Sequence, residues 1–404
     1  MTELKQAIGG LTAQERRELL TWLAEQERPV RAPRPPVSLR TAVIGTLLML
    51  FAYVAAEGFL FHSGWYNKYL EPDSAAGEVE YHEFWLHHMP PPKAPDVLVI
   101  GDSRIGEGLS ERDASAAVGG RVHFTSMGMP GSVPRIWYYA LRDMEKDRDR
   151  FSAIVIALDQ YSDADGEDMQ DRREDMNYLA GRLSLRDCWD FAHSFAMRER
   201  RRGILTGCVF RGIVFRQDVM EFLPNIHRRL ERSKDWRNKG AGYIASYGGK
   251  PETMTGISFD PATRTIHFPP GAKDWQIDSA RATLTPEPAP QSGLNTAYRR
   301  RWLGGILDLY KNSKTRIVFL QLPNAPLPLP DSPVPARFLR SVASRPNVTI
   351  LPVDTFREFQ QPELFADGLH LNQYGRKPFS EKLARTIAPL VEVGQAVPPA
   401  QVSQ

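Results

Sequence analysis

A short apolar run, Val-Leu-Val-Ile at residues 97–100, ends abruptly at Gly101-Asp102-Ser103. A continuous apolar run of this length is typical of a strand that is buried on both faces of a parallel sheet. Ser103 would then stand at the carboxyl edge of a strand, where open α/β sheets bind ligands and where a tight turn can expose a hydroxyl. The run therefore predicts both a class of fold and a candidate nucleophile.

The same alternation of apolar runs and helical patterns continues along the chain. It predicts a three-layer α/β sandwich of flavodoxin type, in which a parallel sheet of about five strands has helices on both faces. The further strands are expected at residues 121–127, 153–158, 315–322 and 348–353, and the helices at 110–118, 134–148, 296–310 and 374–390.

A second polar segment near the other end reads Asp367-Gly-Leu-His370-Leu-Asn-Gln-Tyr-Gly375. It places a carboxylate and an imidazole three residues apart, immediately before a predicted helix. Together with Ser103 these side chains supply the parts of a nucleophile, a base and a group that orients the base. The alternative is a structural Asp-His pair that caps the last helix.

Gly-Asp-Ser after an apolar strand and, far downstream, Asp-x-x-His-Leu-Asn-x-x-Gly resemble blocks one and five of the SGNH (GDSL-like) hydrolase superfamily. The resemblance covers residues 96–391, with an interruption at 160–291. It implies that Ser103 is the nucleophile, His370 the catalytic base and Asp367 the residue that orients the base. The implied fold is the same α/β sandwich.

The resemblance also implies an oxyanion hole built from the N–H groups of Ser103 and Gly128, although Gly128 as a plain turn glycine is the alternative. The family's third donor is an asparagine after the third strand, where this chain has Asp159. An ionised carboxylate only accepts hydrogen bonds, so Asp159 does not replace that donor. Three residues are left as substitutes: Gln160, Tyr161 and Asn324.

Residues 41–61 are almost uninterrupted apolar sequence and are long enough, at ~1.5 Å per residue, to span the ~30 Å core of a bilayer. Four basic residues precede the stretch: Arg28, Arg31, Arg34 and Arg40. The positive-inside rule then predicts a cytoplasmic amino terminus and a periplasmic domain at a bacterial inner membrane. A signal peptide cleaved at Ala55-Ala56 is the rival, but the long polar leader favours an uncleaved anchor.

The predicted organisation has five parts. They are a cytoplasmic helical segment (1–40), a transmembrane helix (41–61), a Pro-rich connector (62–95), an SGNH-like domain (96–391) with an insertion at 160–291, and a polar tail (392–404). Thr12 and Glu15 form a capping box at the start of the first helix, which either docks a partner or lies on the membrane. The insertion forms either a substrate roof with an elongated polymer groove or a loose loop.

Several features limit the partners and cofactors. A net charge of +3 is too small to indicate nucleic acid binding. The histidines of the connector do not have the H-E-x-x-H spacing of a metal site, so no metal and no other cofactor is predicted. Cys188 and Cys208 either pair in an oxidising compartment or remain buried thiols. Arg104 is either a solvated side chain or a contact for an anionic group of a substrate.

The implied chemistry is attack of Ser103 on an ester carbonyl, followed by an acyl-enzyme that a second hydroxyl resolves. Water makes the protein an esterase, and a sugar hydroxyl makes it an O-acyltransferase; the sequence leaves both open. The resemblance to membrane-anchored members of the family implies an O-acetylated cell-envelope polysaccharide as substrate and a multipass membrane O-acyltransferase as partner. A non-catalytic glycan-binding or assembly subunit with the same fold is the alternative.

Overall fold

The protein is described by a computed structural model over ten stretches of the chain. They are residues 10–26, 38–159, 161, 169–239, 247–260, 262–263, 265–284, 297–323, 325–327 and 337–392. The chain divides into two units, Met1–Ala55 and Ala56–Gln404.

The smaller unit contains helix α1 (Ala13–Gln26) and most of helix α2 (Leu39–Glu57). The predicted capping box of α1 is confirmed, because the N–H of Glu15 donates to the Thr12 hydroxyl over 3.3 Å and the N–H of Thr12 donates to the Glu15 carboxylate over 2.8 Å. Helix α2 continues as a π-helical turn, Gly58–His62. The resulting stretch Leu39–His62, 24 residues in length, is long and apolar enough to cross a membrane.

The larger unit is built on a sheet of five parallel strands in the order β2-β1-β3-β6-β7. The strands are β1 (Asp96–Gly101), β2 (His123–Gly128), β3 (Ala153–Leu158), β6 (Arg316–Gln321) and β7 (Val348–Ile350). All five lie within or close to the predicted runs. The predicted parallel α/β sheet is therefore confirmed.

Alternate residues of the central strands enter two separate buried clusters. Leu98, Ile100 and Ile154 belong to one cluster, and Val97 and Val99 belong to the other. This explains why the strands are continuously apolar instead of alternating, since both of their faces are covered. The helices that accompany the sheet are α3 (Ala75–His88), α4 (Ser103–Gly108), α5 (Glu111–Ala117), α6 (Pro134–Met144), α14 (Ala297–Leu309), α15 (Arg337–Val342) and α16 (Gln373–Glu392).

The insertion contains regular structure that its sequence does not predict. Its helices are α7 (Asp175–Leu179), α8 (Leu185–His193), α9 (Arg198–Val209), α10 (Arg211–Val214), α11 (Arg216–Phe222), α12 (Ile226–Lys239) and α13 (Asp274–Leu284). A two-stranded antiparallel hairpin, β4 (Ser258–Asp260) and β5 (Thr265–His267), precedes α13. Cys188 of α8 and Cys208 of α9 form a disulfide, so the alternative of two free thiols is not what the structure has.

The predicted connector at 62–95 is largely part of the folded unit. Helix α3 buries Val79, Tyr81 and His82 against the rest of the larger unit. Its apolar and aromatic side chains need a partner surface, which a free spacer would not provide. Only residues 89–95, between α3 and β1, keep the extended, proline-rich character that the sequence indicates. The polar tail from residue 393 onward lies outside the described residues.

Candidate functional site

Ser103 lies in the sharp turn between β1 and α4. It is the first residue of α4, and the side chain of Asp102 caps that helix by accepting from the N–H of Arg104 over 2.9 Å. The helix then crosses the end of β2 so closely that a Cβ on Gly128 would be 2.1 Å from the backbone nitrogen of Gly106. Only glycine permits this approach, which fixes the direction in which α4 leaves the sheet.

His370 meets Ser103 although 267 residues separate them in the chain. The Ser103 Oγ lies 2.8 Å from the His370 Nε2. The His370 Nδ1 lies 2.9 Å from the Asp367 Oδ2 and 3.0 Å from its Oδ1. An ionised carboxylate only accepts, so Nδ1 carries the proton and Nε2 accepts from the serine hydroxyl. The three predicted residues therefore form one continuous hydrogen-bonded chain.

The Asp367 carboxylate is held by its own loop. Its Oδ1 accepts from the backbone N–H of Leu369 over 2.8 Å and of His370 over 2.9 Å. Burial alone would raise the pKa of Asp367, but the hydrogen bonds from the His370 ring and from the Leu369 N–H outweigh it and lower the pKa to about 2. Asp367 is thus ionised throughout the physiological range.

Asn372 anchors this loop to the start of α16. Its side chain is fully buried, accepts from the N–H groups of Tyr374 and Gly375 over 2.9 and 3.0 Å, and donates to the carbonyl of Glu363 over 2.8 Å. Such a residue is a helix cap with every polar atom engaged. Because the cap is rigid, it holds His370, two positions earlier, at a defined place.

The insertion contributes to the site through Lys250. Its Nζ lies 2.8 Å from the Glu107 Oε2 and 3.8 Å from the Asp367 Oδ2, and its carbonyl accepts from the N–H of Gln373 over 2.9 Å. Glu107 belongs to α4, the helix that begins with Ser103. Lys250 therefore links the two loops that carry Ser103 and His370. Nothing in the local sequence around Lys250 signals this contact.

A cleft of about 160 Å³ opens between the ends of β1 and β3; Asp102 and Arg104, the neighbours of Ser103 in the chain, line it, whereas Ser103, His370 and Asp367 do not. Its lining includes charged side chains from four segments: Asp102, Arg104, Asp159, Arg172 and Arg299. The backbone of Gly131, at a φ of +67°, also lines the cleft, and its carbonyl accepts from the Arg172 guanidinium over 2.6 Å. The Pro130-Gly131 pair is the signal by which this turn could have been found in the sequence.

Arg104 is held by its neighbour Asp102 and is not a solvated side chain. The two side chains form a bidentate contact with distances down to 2.5 Å, and only 15% of the Arg104 side chain is exposed. Burial would raise the pKa of Asp102, but the adjacent guanidinium outweighs it, so this pKa lies below its ordinary value. An anionic substrate group would have to compete with Asp102 for Arg104.

The predicted oxyanion donors have different outcomes. Gly128 is buried at the end of β2, where the contact with α4 accounts for a glycine, and its role as a donor stays a prediction. Asp159 is 3.2 Å from the Arg299 guanidinium and so acts as an acceptor, as expected of a carboxylate. Tyr161 is not available, because its hydroxyl donates to the carbonyl of Phe319 over 2.8 Å in the core. Gln160 and Asn324 lie outside the described residues.

Among the described residues, no group of three or more His, Cys, Asp or Glu side chains is arranged to hold a metal ion. His82 is buried in α3, and burial lowers its pKa to about 4, so it is a neutral, packed side chain.

No protein-family model matches the chain, and no curated protein matches it.

Proposed function

We propose that the protein is a serine-dependent carboxyl-ester hydrolase or O-acyltransferase that acts through Ser103, His370 and Asp367. The single observation that supports this most is the continuous chain of contacts, 2.8 Å from Ser103 Oγ to His370 Nε2 and 2.9 Å from His370 Nδ1 to Asp367 Oδ2. Nucleophile, base and orienting carboxylate at hydrogen-bonding distance are the arrangement by which serine enzymes activate a hydroxyl.

The proposed reaction begins when Ser103 Oγ attacks the ester carbonyl while its proton passes to His370 Nε2. Asp367 stabilises the imidazolium that forms, since its lowered pKa keeps it ionised. The tetrahedral intermediate collapses, the leaving alkoxide takes the proton from His370, and the acyl group stays on Ser103. Water or a sugar hydroxyl, deprotonated by His370, then attacks the acyl-enzyme and releases Ser103.

The charge on the intermediate needs donors near Ser103. The N–H of Ser103 is at the first position of α4, where a helix has no internal acceptor for it. Within the stretches that the structure describes, this N–H has no hydrogen-bond acceptor, whereas the next N–H of the turn bonds to Asp102. The Ser103 N–H is therefore the best-supported donor, and Gly128 is the second. Removing one such donor typically costs about 10²–10³ in rate.

The larger unit fits the three-layer flavodoxin type that the SGNH resemblance implies. In the strand order β2-β1-β3-β6-β7 the chain adds β2 on one side of β1 and then crosses to the other side, so β1 and β3 flank a topological switch point. The cleft lined by Asp102, Arg104 and Asp159 opens there. Ligands of open α/β sheets bind at such a switch point, outside the carboxyl ends of the strands. The position of the cleft therefore favours it as the substrate site.

The proposed location is a bacterial inner membrane, with the amino terminus in the cytoplasm and the larger unit in the periplasm. The 24-residue apolar helix and the arginines before it support this orientation. The Cys188–Cys208 disulfide also favours it, because disulfides persist in oxidising compartments. In that setting we propose an O-acetylated cell-envelope polysaccharide as substrate and a multipass membrane O-acyltransferase as partner.

A serine-reactive fluorophosphonate probe tests the proposal on the full-length protein in detergent. Wild type should be labelled, and Ser103→Ala should not. The matched control is Ser110→Ala, which alters another serine that follows α4. Absence of labelling in a folded wild-type protein would contradict an enzyme and favour a glycan-binding or assembly subunit.

Hydrolysis and transfer are separated by a second assay. The full-length protein is incubated with an acetyl-ester donor and candidate oligosaccharides, and acetate release is measured against formation of sugar esters. Sugar esters that depend on Ser103 indicate a transferase, whereas acetate alone indicates an esterase.

A further inference from the structure

An exposed apolar stripe runs along three consecutive helices of the insertion, α10, α11 and α12. Its members are Ile213, Met220, Leu223, Ile226 and Leu230, whose exposed fractions are 55%, 64%, 58%, 43% and 36%. Ile213 lies on α10, Met220 on α11, Leu223 in the 3-10 turn Leu223–Asn225, and Ile226 and Leu230 on α12. From Met220 onward the spacings of three, three and four residues follow the period of a helix, which favours a common face. A face of this kind on a folded unit normally meets another apolar medium.

The opposite side of these helices is attached to the larger unit. Phe215 and Trp236 are buried. Arg229 is also buried, and its guanidinium lies 3.1 Å from the Glu71 carboxylate and contacts Asp218. The inner face of these helices thus packs against the rest of the larger unit, and the apolar stripe lies on their outer face.

The same helices begin at the end of the apolar span. The N–H of Gly212 donates to the Glu57 carboxylate over 3.0 Å, and the Arg211 guanidinium donates to the carbonyl of Phe61 over 3.0 Å. The rings of Phe61 and Phe215 stack with centroids 5.5 Å apart. Glu57 and Phe61 lie in the last turns of the stretch Leu39–His62. If that stretch crosses a bilayer, α10 starts at the bilayer surface.

The surroundings of the stripe suit the boundary between lipid tails and headgroups. Phe59, in the last turn of the span, and Trp65, just beyond it, are exposed by 61% and 36% and stack at 5.8 Å; aromatic rings are enriched at this depth. Arg216, Arg228 and Lys234 are exposed on these helices. Basic side chains beside an apolar face are typical of helices that lie on anionic lipid.

We propose that the stripe on α10, α11 and α12 rests on the outer surface of the membrane that Leu39–His62 crosses, with its apolar side chains at the acyl boundary and its basic side chains among anionic phospholipid headgroups. In this arrangement the face is a contact between the larger unit and the membrane in addition to the covalent connection to the span. The inference rests on the membrane insertion proposed above and is independent of the chemistry of Ser103.

Depth-dependent quenching in nanodiscs tests the proposal. Full-length protein is reconstituted in phosphatidylcholine and phosphatidylglycerol, and single cysteines carry an environment-sensitive fluorophore. Because Cys188 and Cys208 are joined, an introduced cysteine is the free thiol. Met220→Cys reports on the stripe, and Glu221→Cys, an exposed position turned away from it on the same helix, is the matched control. Leu48→Cys reports on the span itself.

Lipids with a doxyl quencher on the acyl chain should quench the label at Met220 at least about twofold more than the label at Glu221, since an interfacial helix buries only its apolar face ~5–10 Å deep. The Leu48 label should be quenched as well. Equal or absent quenching at Met220 and Glu221, with Leu48 quenched, overturns the proposal while leaving the span in place. Absent quenching at Leu48 overturns its premise.

A water-soluble quencher separates lipid from protein as the occupant of the stripe. Iodide should reach the label at Glu221 but not the label at Met220. Shielding of Met220 from iodide without quenching by doxyl lipid would mean that a protein, such as a second copy of this chain, covers the stripe, and it would overturn the proposal. Neither result depends on esterase activity.

Discussion

Within the described part of the larger unit, two Asp-His pairs lie at hydrogen-bonding distance, and one of them faces a serine. His370 contacts Asp367 over 2.9 Å in the loop before α16, and His123 contacts Asp96 over the same distance at the start of β2 and β1. The second pair includes a further hydroxyl, since Thr125 Oγ1 donates to Asp96 Oδ1 over 3.0 Å. The two pairs are alike in type and distance.

The difference lies in what each imidazole does with its other nitrogen. His370 directs Nε2 at Ser103, while the hydroxyl of the second pair binds the carboxylate. The Thr125 hydroxyl lies 3.4 Å from His123 Nδ1, the nitrogen that already faces the Asp96 carboxylate, and it donates to Asp96, so it is not placed for His123 to remove its proton. The comparison teaches that a carboxylate beside a histidine does not make a site by itself, and that a hydroxyl must be within reach of the free nitrogen.

The two pairs also differ electrostatically. The hydrogen bond to Asp96 outweighs burial and raises the pKa of His123 above its ordinary value, which favours the charged imidazole. In the first pair the pKa of Asp367 falls to about 2, so the carboxylate beside the base stays ionised. The second pair lies at the amino edge of the sheet, where it joins the first residues of β1 and β2.

The largest expected effect is on turnover. Ser103→Ala or His370→Ala should lower kcat on an acetyl ester by on the order of 10⁴–10⁶, because the nucleophile, the base and the orienting carboxylate act as one unit and each substitution disables it. His123→Ala should leave the kcat of the folded protein within a few-fold of wild type. Steady-state kinetics on full-length protein check this. A similar loss in the His123 and His370 variants would break the distinction between the pairs.

The next effect concerns the orienting carboxylate. Asp367→Asn should lower kcat by on the order of 10³–10⁴, since the amide no longer holds His370 in the tautomer that accepts from Ser103. Asp96→Asn should affect stability and leave kcat almost unchanged. The measurement is kcat for both variants beside their denaturation midpoints. Full activity of Asp367→Asn would show that Asp367 only caps its loop.

The pairs should also separate by the pH dependence of stability. The pKa of Asp367 is lowered from 3.8 to about 2, so its contribution, about 2 kcal/mol, is present above pH 3.8 and is lost as the pH falls through 2. The pKa of His123 is raised from 6.5, so its contribution is present below pH 6.5 and is lost as the pH rises through the raised value.

Denaturation curves in detergent, recorded from acid pH to above pH 6.5, measure the loss of stability expected on each side. Asp367→Asn should remove only the acid-side loss, and His123→Asn only the loss at higher pH. If Asp367→Asn removed the loss at higher pH and His123→Asn removed the acid-side loss, the two losses would have been assigned to the wrong pairs.

The smallest effect should come from Lys250, which has no counterpart at the second pair. Lys250→Met removes the link between Glu107 and Asp367, but its side chain is 41% exposed, and solvent screens such contacts to at most about 1 kcal/mol. We expect kcat/KM to fall by no more than about fivefold. Lys311→Met, an exposed lysine outside the site, is the control and should change nothing. A larger loss would mean that Lys250 contacts the substrate.

Much of the local structure could be predicted from the sequence. Apolar runs predict the buried strands, and the capping box of Thr12 and Glu15 predicts the start of helix α1. Both patterns are local, because each depends on residues only a few positions apart. The Asp367–His370 pair belongs to the same class, since one turn brings the two side chains together. The apolar span Leu39–His62 is likewise evident from composition alone.

The tertiary structure decided which of these local features became a site. Ser103 and His370 meet only because β1 and the loop before α16 reach the same edge of the sheet. Lys250, the Cys188–Cys208 pair and the burial of α3 also depend on packing between distant segments. Hydrogen bonds within a turn are set by neighbours in the chain, whereas contacts across hundreds of residues are set by how whole elements pack, and no short motif carries that information.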